Sequence, residues 1–327
     1  MASREELLQR LKQGPMFQHW HWLRWNFEQS PATPFATLTL DALLRCEARM
    51  EGYADAMLRT LESIGGREYD PDDYERIKQW LGELAVVVHF VDWEWPVPVT
   101  FKREPVAPGS GRNPELIVSS ETWRFGVEVK TPDLRLLRAG GRQAQPWQLL
   151  TRVPGGRDLP GGVTLPRDLA IKDFLHSADA KFAGFHATDA HFYGVLFIVW
   201  DDYINEPISA LLGGPSGLFT RGNFDLASSG EPHTYPNVDA VVVLRQQHQL
   251  QEGMANWPPI DERRHFLDYG DVARFPPNAV IPNPSSTREP PAAVVDALQA
   301  YLPGPTMGAE YVPSELVMWL DSRDGDR

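Results

Sequence analysis

Two runs, YGVLFIVW at residues 193–200 and VDAVVVL at 238–244, are apolar at nearly every position. Successive side chains of a strand point to opposite faces, so a strand that is apolar throughout must be covered on both. The β-branched and aromatic residues of these runs, bounded by Pro, Gly and Asp, mark them as strands. The same reading extends to LAVVVHFV (84–91), WPVPVTF (95–101), PELIV (114–118) and RFGVEVK (124–130). The expectation is an α/β domain: a central mixed β-sheet flanked by helices.

Helical periodicity surrounds these runs. SREELLQRLKQG begins on the capping residue Ser3 and stops at Gly14. From Leu40 to Gly66 apolar residues recur at three and four positions, predicting one long helix. Asp70 and Pro71 open a third helix, with Ile77, Trp80, Leu81 and Leu84 on one stripe and Glu83 at its edge. A fourth covers 167–184, with Leu169, Phe174, Ala178 and Phe182 inward and Asp168, Lys172, Asp173 and Lys181 on the more polar side. Residues 140–168, rich in Gly, Pro and Arg, predict a long loop. After about residue 251 the chain turns Pro-rich and reads as a wrapping extension with short helices at 291–302 and 313–321. Three parts are therefore expected: an N-terminal helical subdomain (1–66), a sheet-bearing domain (67–250) and a Pro-rich C-terminal extension (251–327). The tryptophan-dense FQHWHWLRWNF, with His19 and His21, reads as aromatic packing.

Composition narrows the function classes. No apolar run approaches the roughly 18 residues of a membrane helix, and MASREELLQRLKQG lacks the apolar middle of a secretory signal, so a cytoplasmic protein is expected. The single cysteine, Cys46, can neither form an intramolecular disulfide nor anchor a cysteine-based zinc site. A net charge of −13 argues against binding nucleic acid over the whole surface. Between Arg124 and Lys181, however, ten Lys and Arg stand against six Asp and Glu, a local net of +4.

That segment contains Glu128, Lys130 and Lys181, three of the chemistry-bearing residues. Alternation along RFGVEVK projects Glu128 and Lys130 to one face and Val127 and Val129 to the other. If PELIV is the neighbouring strand, a short turn brings Glu115 beside Glu128. Two carboxylates that close repel unless a hard cation such as Mg²⁺ or Mn²⁺ lies between them. Such a cation acidifies a water and neutralises charge building on a phosphodiester, while the Lys130 ammonium orients the attacking water or stabilises the phosphorus centre.

This order of parts resembles the PD-(D/E)xK nuclease superfamily, with its restriction-endonuclease-like fold, over about residues 70–245. PELIV stands in the place of the family's Pro-Asp strand and FGVEVK in that of its Glu-x-Lys strand. The resemblance implies that Glu115 and Glu128 are metal ligands, that Lys130 is the catalytic lysine, and that Glu83 is the helix glutamate completing the site. Lys181 matches the place where many members carry Gln or Lys on the next helix; with Lys172 it is a candidate substrate contact. Also implied are Mg²⁺ or Mn²⁺ as cofactor, DNA in preference to RNA as partner, a role in defence or repair, and a homodimer wherever both strands are cut. One position departs from the pattern: Glu115 stands where the family usually has Asp. A catalytically inactive domain of the same fold, binding nucleic acid or protein, is the alternative. A second alternative is a hydrolase using His176, His186 and His191 with Asp179 and Asp189, but their spacing fits no metal motif, and solvated or capping histidines are preferred.

Overall fold

A computed structural model describes residues 3–67, 70–107, 111–133, 166–200, 206–213, 217–274 and 277–303. The expected loop at 140–168 falls mostly outside this range, as do the helix at 313–321 and the side chains of Asp168 and Leu169. The fold is α/β, with a seven-stranded mixed sheet in the order β1-β2-β3-β4-β5-β6-β7. These strands are Thr100–Arg103, Leu116–Ser119, Arg124–Lys130, Phe192–Trp200, Ala240–Arg245, Asn278–Pro282 and Ala300–Tyr301. β2 runs antiparallel to both β1 and β3; β3, β4 and β5 are parallel; β6 runs antiparallel to β5 and parallel to β7.

Parallel neighbours need a crossover. α7 (Pro166–Thr188) joins β3 to β4, and α8 (Glu206–Leu212) lies between β4 and β5. The two faces of the central strands bury different residues, as strand periodicity requires. Val127, Val129, Val195, Phe197 and Val242 belong to one core, whereas Leu196, Ile198, Val241 and Val243 join Leu175, Ala178 and Phe182 of α7 in the other.

The first core continues without a break through the N-terminal helices α1 (Arg4–Gln13), α2 (Pro15–Gln18), α3 (Arg24–Glu28), α4 (Pro34–Glu47), α5 (Tyr53–Ser63) and α6 (Pro71–Asp92). Segment 1–66 thus shares its core with the sheet. Ser3 and Glu6 form a reciprocal capping box at the start of α1. The expected long helix from Leu40 to Gly66 is two: Gly52 adopts φ +80, and the Glu47 carboxylate accepts from the N–H groups of Gly52 and Ala54. That side chain supplies the N-terminal satisfaction that α5 needs to start afresh.

LAVVVHFV is not a strand. It forms the second half of α6, a helix capped by the Asp70 carboxylate and uninterrupted to Asp92. Nothing breaks the helix before Trp93 and Pro96, so propagation carries it through residues of modest helix propensity. Its surroundings are apolar on most sides, with Phe90 edge-on to Phe125 at 5.1 Å and to Phe197 at 5.5 Å, and burial decides over β-propensity. α7 also differs in phase: Ile171, Leu175, Ala178 and Phe182 are buried, while Phe174 is half-buried. In the Pro-rich extension NAVIP forms β6, and α10 (Ala292–Leu298) precedes β7; RQQHQLQEG supplies α9 (Gln247–Met254). His21 is buried as expected of packing, and burial lowers its pKa while its Nδ1 accepts from the Leu23 N–H, but His19, Trp20 and Trp25 of the same stretch are exposed, against that expectation.

Candidate metal centre

β2 and β3 pair with Leu116 opposite Val127, so the next step of the register sets Glu115 opposite Glu128. Both acids share the strand parity opposite to Val127 and Leu116, and both reach Lys181 of α7 on that side. Lys181 Nζ lies 2.7 Å from Glu128 Oε1 and 2.8 Å from Oε2, and 3.5 Å from Glu115 Oε1. Lys130 Nζ approaches the same Glu128 Oε1 to 2.7 Å. Glu128 is completely buried, while the Lys130 side chain retains 25% of its exposure.

Three close approaches set this geometry. Phe182, next to Lys181, lies over Gly126 and Gly194, where an added Cβ would meet its ring at 3.1 and 2.7 Å. α7 is thereby seated against β3 and β4 at the depth that lets Lys181 reach the acids. On the opposite layer, a Cβ at Gly82 would come within 2.4 Å of Thr131 Oγ1, so the glycine allows α6 to run close past the end of β3. Glu83, the following residue, is delivered to the edge of the same site.

Glu83, Glu115, Lys130 and Thr131 line a cavity of about 590 Å³, together with Trp80 and Arg76 of α6. Thr60 and Ile64 from the end of α5 contribute to its wall. The Glu83 Oε1 atom is shielded from solvent and has no hydrogen-bond partner. Burial, helped by the neighbouring Glu115 charge, pushes the Glu83 carboxyl up to about 8, against the opposing influence of Arg103. Burial and the Glu128 charge likewise raise the pKa of Glu115. Burial works against the Lys181 ammonium, but Glu128 and Glu115 outweigh it, and its pKa is raised.

A hard divalent cation fits this donor set. The candidate ligands are carboxylate oxygens, the donors such an ion prefers, and the orphaned Glu83 Oε1 stands at the same cavity. Among the described residues, however, only His176, Asp225 and His233 bring three ligand atoms within 4.8 Å of one another. Glu83, Glu115 and Glu128 do not form such a group; Glu115 and Glu128 are the residues that would hold an ion there.

Lys172, the other expected substrate contact, pairs with Asp173 at 3.1 Å. The histidines of the second alternative part company: His186 faces Asp239 at 3.2 Å, His191 is exposed, and His176 turns to Asp225. Asp179 accepts from the N–H of Asn237, and Asp189 from that of His191. Sequence reading missed Arg103, Glu104 and Thr131. Glu104 sits at φ +41, and its N–H donates to the Glu115 carbonyl, pinning the start of β2. No local pattern singles these three out; only strand pairing brings them to the acids.

No family model matches the chain, and neither curated proteins nor solved structures give a match. Among the described residues, no helix is long and apolar enough to cross a membrane.

Proposed function

We propose that the protein is a metal-dependent nuclease that hydrolyses phosphodiester bonds of nucleic acid, DNA in preference to RNA. The observation that carries this reading is the meeting of Glu115, Glu128, Lys130 and Lys181 at one end of β3, beside a cavity into which Glu83 opens. A restriction-endonuclease-like core is supported by the order of parts: a Glu-bearing helix, an acid on each of two paired strands, a Lys-bearing crossover helix and a buried parallel strand.

When bound, Mg²⁺ or Mn²⁺ would supply Lewis acidity at the phosphate and a more acidic water. Glu115 and Glu128 would hold it. Lys130, with its ammonium partly open to the cavity, donates to the attacking water or to a non-bridging phosphate oxygen. Lys181 stays charged and holds the Glu128 carboxylate in place, a positioning residue. Arg76 at the cavity wall offers a further contact to the phosphate backbone. Each chain has one such site, so cutting both strands of a duplex calls for two copies.

One observation favours the inactive alternative. Lys130 and Lys181 both lie 2.7 Å from Glu128 and together compensate its charge without an ion, as a purely structural network would. A nicking assay separates the readings, with purified protein tested with Mg²⁺ and Mn²⁺ on duplex DNA, single-stranded DNA and RNA. The nuclease reading expects metal-dependent cleavage that Glu128→Ala and Lys130→Ala remove. Wild-type protein giving no more cleavage than these variants would discard it, and retained gel-shift binding would then favour the binding module.

A further inference from the structure

His176 on α7 and the loop between α8 and β5 meet on the far side of α7 from Lys181. Lys181 follows His176 by five residues, which on an α-helix is a rotation of roughly 140°. The loop is a framed structure. The Leu226–Pro232 bridge closes it, the His233 N–H donates to the Asp225 carbonyl at 2.8 Å, and Asn223 bonds both the His233 carbonyl and the Asp225 N–H. Asp225 and His233 are therefore held side by side before any side-chain contact is counted.

His176 Nε2 lies 2.7 Å from Asp225 Oδ2, and the His176 and His233 rings stand edge to face at 4.8 Å. The Tyr235 hydroxyl donates to the same Asp225 oxygen at 2.6 Å. One candidate ligand atom from each of His176, Asp225 and His233 falls within 4.8 Å of the others, and all three side chains are half-buried.

We propose that His176, Asp225 and His233 form a second metal site, one for a zinc-class divalent ion, that fastens α7 to this loop. Two imidazoles and one carboxylate suit a borderline ion such as Zn²⁺ and suit Mg²⁺ poorly. Ligand atoms around a tetrahedral ion stand roughly 3.3 Å apart, given bonds of about 2.0–2.2 Å. The described contacts bracket that spacing, so small side-chain rotations open the His176–Asp225 contact and draw His233 in. Tyr235 then plays the outer partner that orients a ligating carboxylate. The His176 side chain is 41% exposed, so an ion there would be reached from solvent. Asp179, one turn beyond His176, already bonds the N–H of Asn237, so the ion adds a second tie along one face of α7.

The test uses the full chain, stripped with a chelator and dialysed against Zn²⁺ in excess Mg²⁺, which occupies oxygen-donor sites without competing for imidazole. The expected result is one Zn²⁺ per chain. His176→Ala and His233→Ala each weaken binding at least about tenfold, Tyr235→Phe weakens it roughly tenfold, and the exposed His191→Ala leaves it unchanged. Zn²⁺ at about a hundred times its dissociation constant raises Tm on the order of 5 °C. In the unmutated protein Zn²⁺ shifts the imidazole ¹⁵N resonances of His176 and His233 but not those of His191, a readout independent of variant folding. Absence of stoichiometric Zn²⁺, or binding undiminished in both His176→Ala and His233→Ala, overturns the proposal. Cleavage results at Glu128 and Lys130 bear on the other site alone.

Discussion

Two enclosed acids, Asp268 and Glu83, show opposite treatment of a carboxylate. Asp268 accepts from the Arg264 guanidinium at 2.9 and 3.0 Å, the backbone N–H groups of Arg264 and Gly270, and Arg274 at 2.8 Å. Burial alone would raise its pKa, but these donors reverse the direction and hold it far below the ordinary carboxylate range. Glu83 receives no such donors. Its Oε1 is orphaned, and burial beside Glu115 keeps it protonated to about pH 8. An acid with every lone pair answered is a structural joint; one left unanswered at a cavity is available to a ligand.

The largest effect should separate the two regions by activity. Glu128→Ala is expected to lower metal-dependent cleavage roughly a thousand-fold, with Asp268→Asn close to wild type in the same nicking assay. Stability should show the reverse order. Asp268→Asn weakens its bonds to Arg264, Arg274 and two backbone N–H groups and should cost about 1–2 kcal/mol in urea unfolding; Arg264, 71% exposed, is resolvated, so the loss falls on the enclosed donors. A cost below about 0.5 kcal/mol would show that the Asp268 cluster is not a structural joint.

Glu83 sharpens the contrast through pH. Its folded pKa of about 8 lies above the ordinary 4.5, so across that window the folded state keeps a proton that the unfolded chain has lost. Its contribution is complete below about pH 4.5 and drains away as pH rises towards 8. Metal-free wild type should therefore lose stability, relative to Glu83→Gln, by about 4 kcal/mol over this range. Parallel stability–pH curves for the two proteins would remove the distinction drawn for Glu83. The smallest expected effect is at Lys172: already paired with Asp173, its change to Ala should alter cleavage less than about threefold.

What could be read in the sequence follows from where periodicity is informative. β3, β4 and β5 were legible because their residues alternate between two buried faces, and the Glu128–Lys130 parity came with them. LAVVVHFV misled because a helix buried on most sides shows the same unbroken apolar run as a central strand. β6 was hidden by its flanking prolines, which an antiparallel strand near the sheet edge tolerates. The contact of Lys181 with Glu128 depends on Phe182 settling over two glycines of different strands, a steric fit that no single segment encodes. His176, Asp225 and His233 meet only through the tertiary fold, so ligand spacing along the chain carried no sign of them.

Thr60 and Ile64 place part of the cavity wall on α5, in a segment that supplies none of the carboxylates. The cavity wall and the acids are consequently carried by different segments: side-chain bulk at Thr60 and Ile64 can alter the opening without touching the carboxylates. Selectivity could be retuned from the N-terminal helices without disturbing the residues at the end of β3.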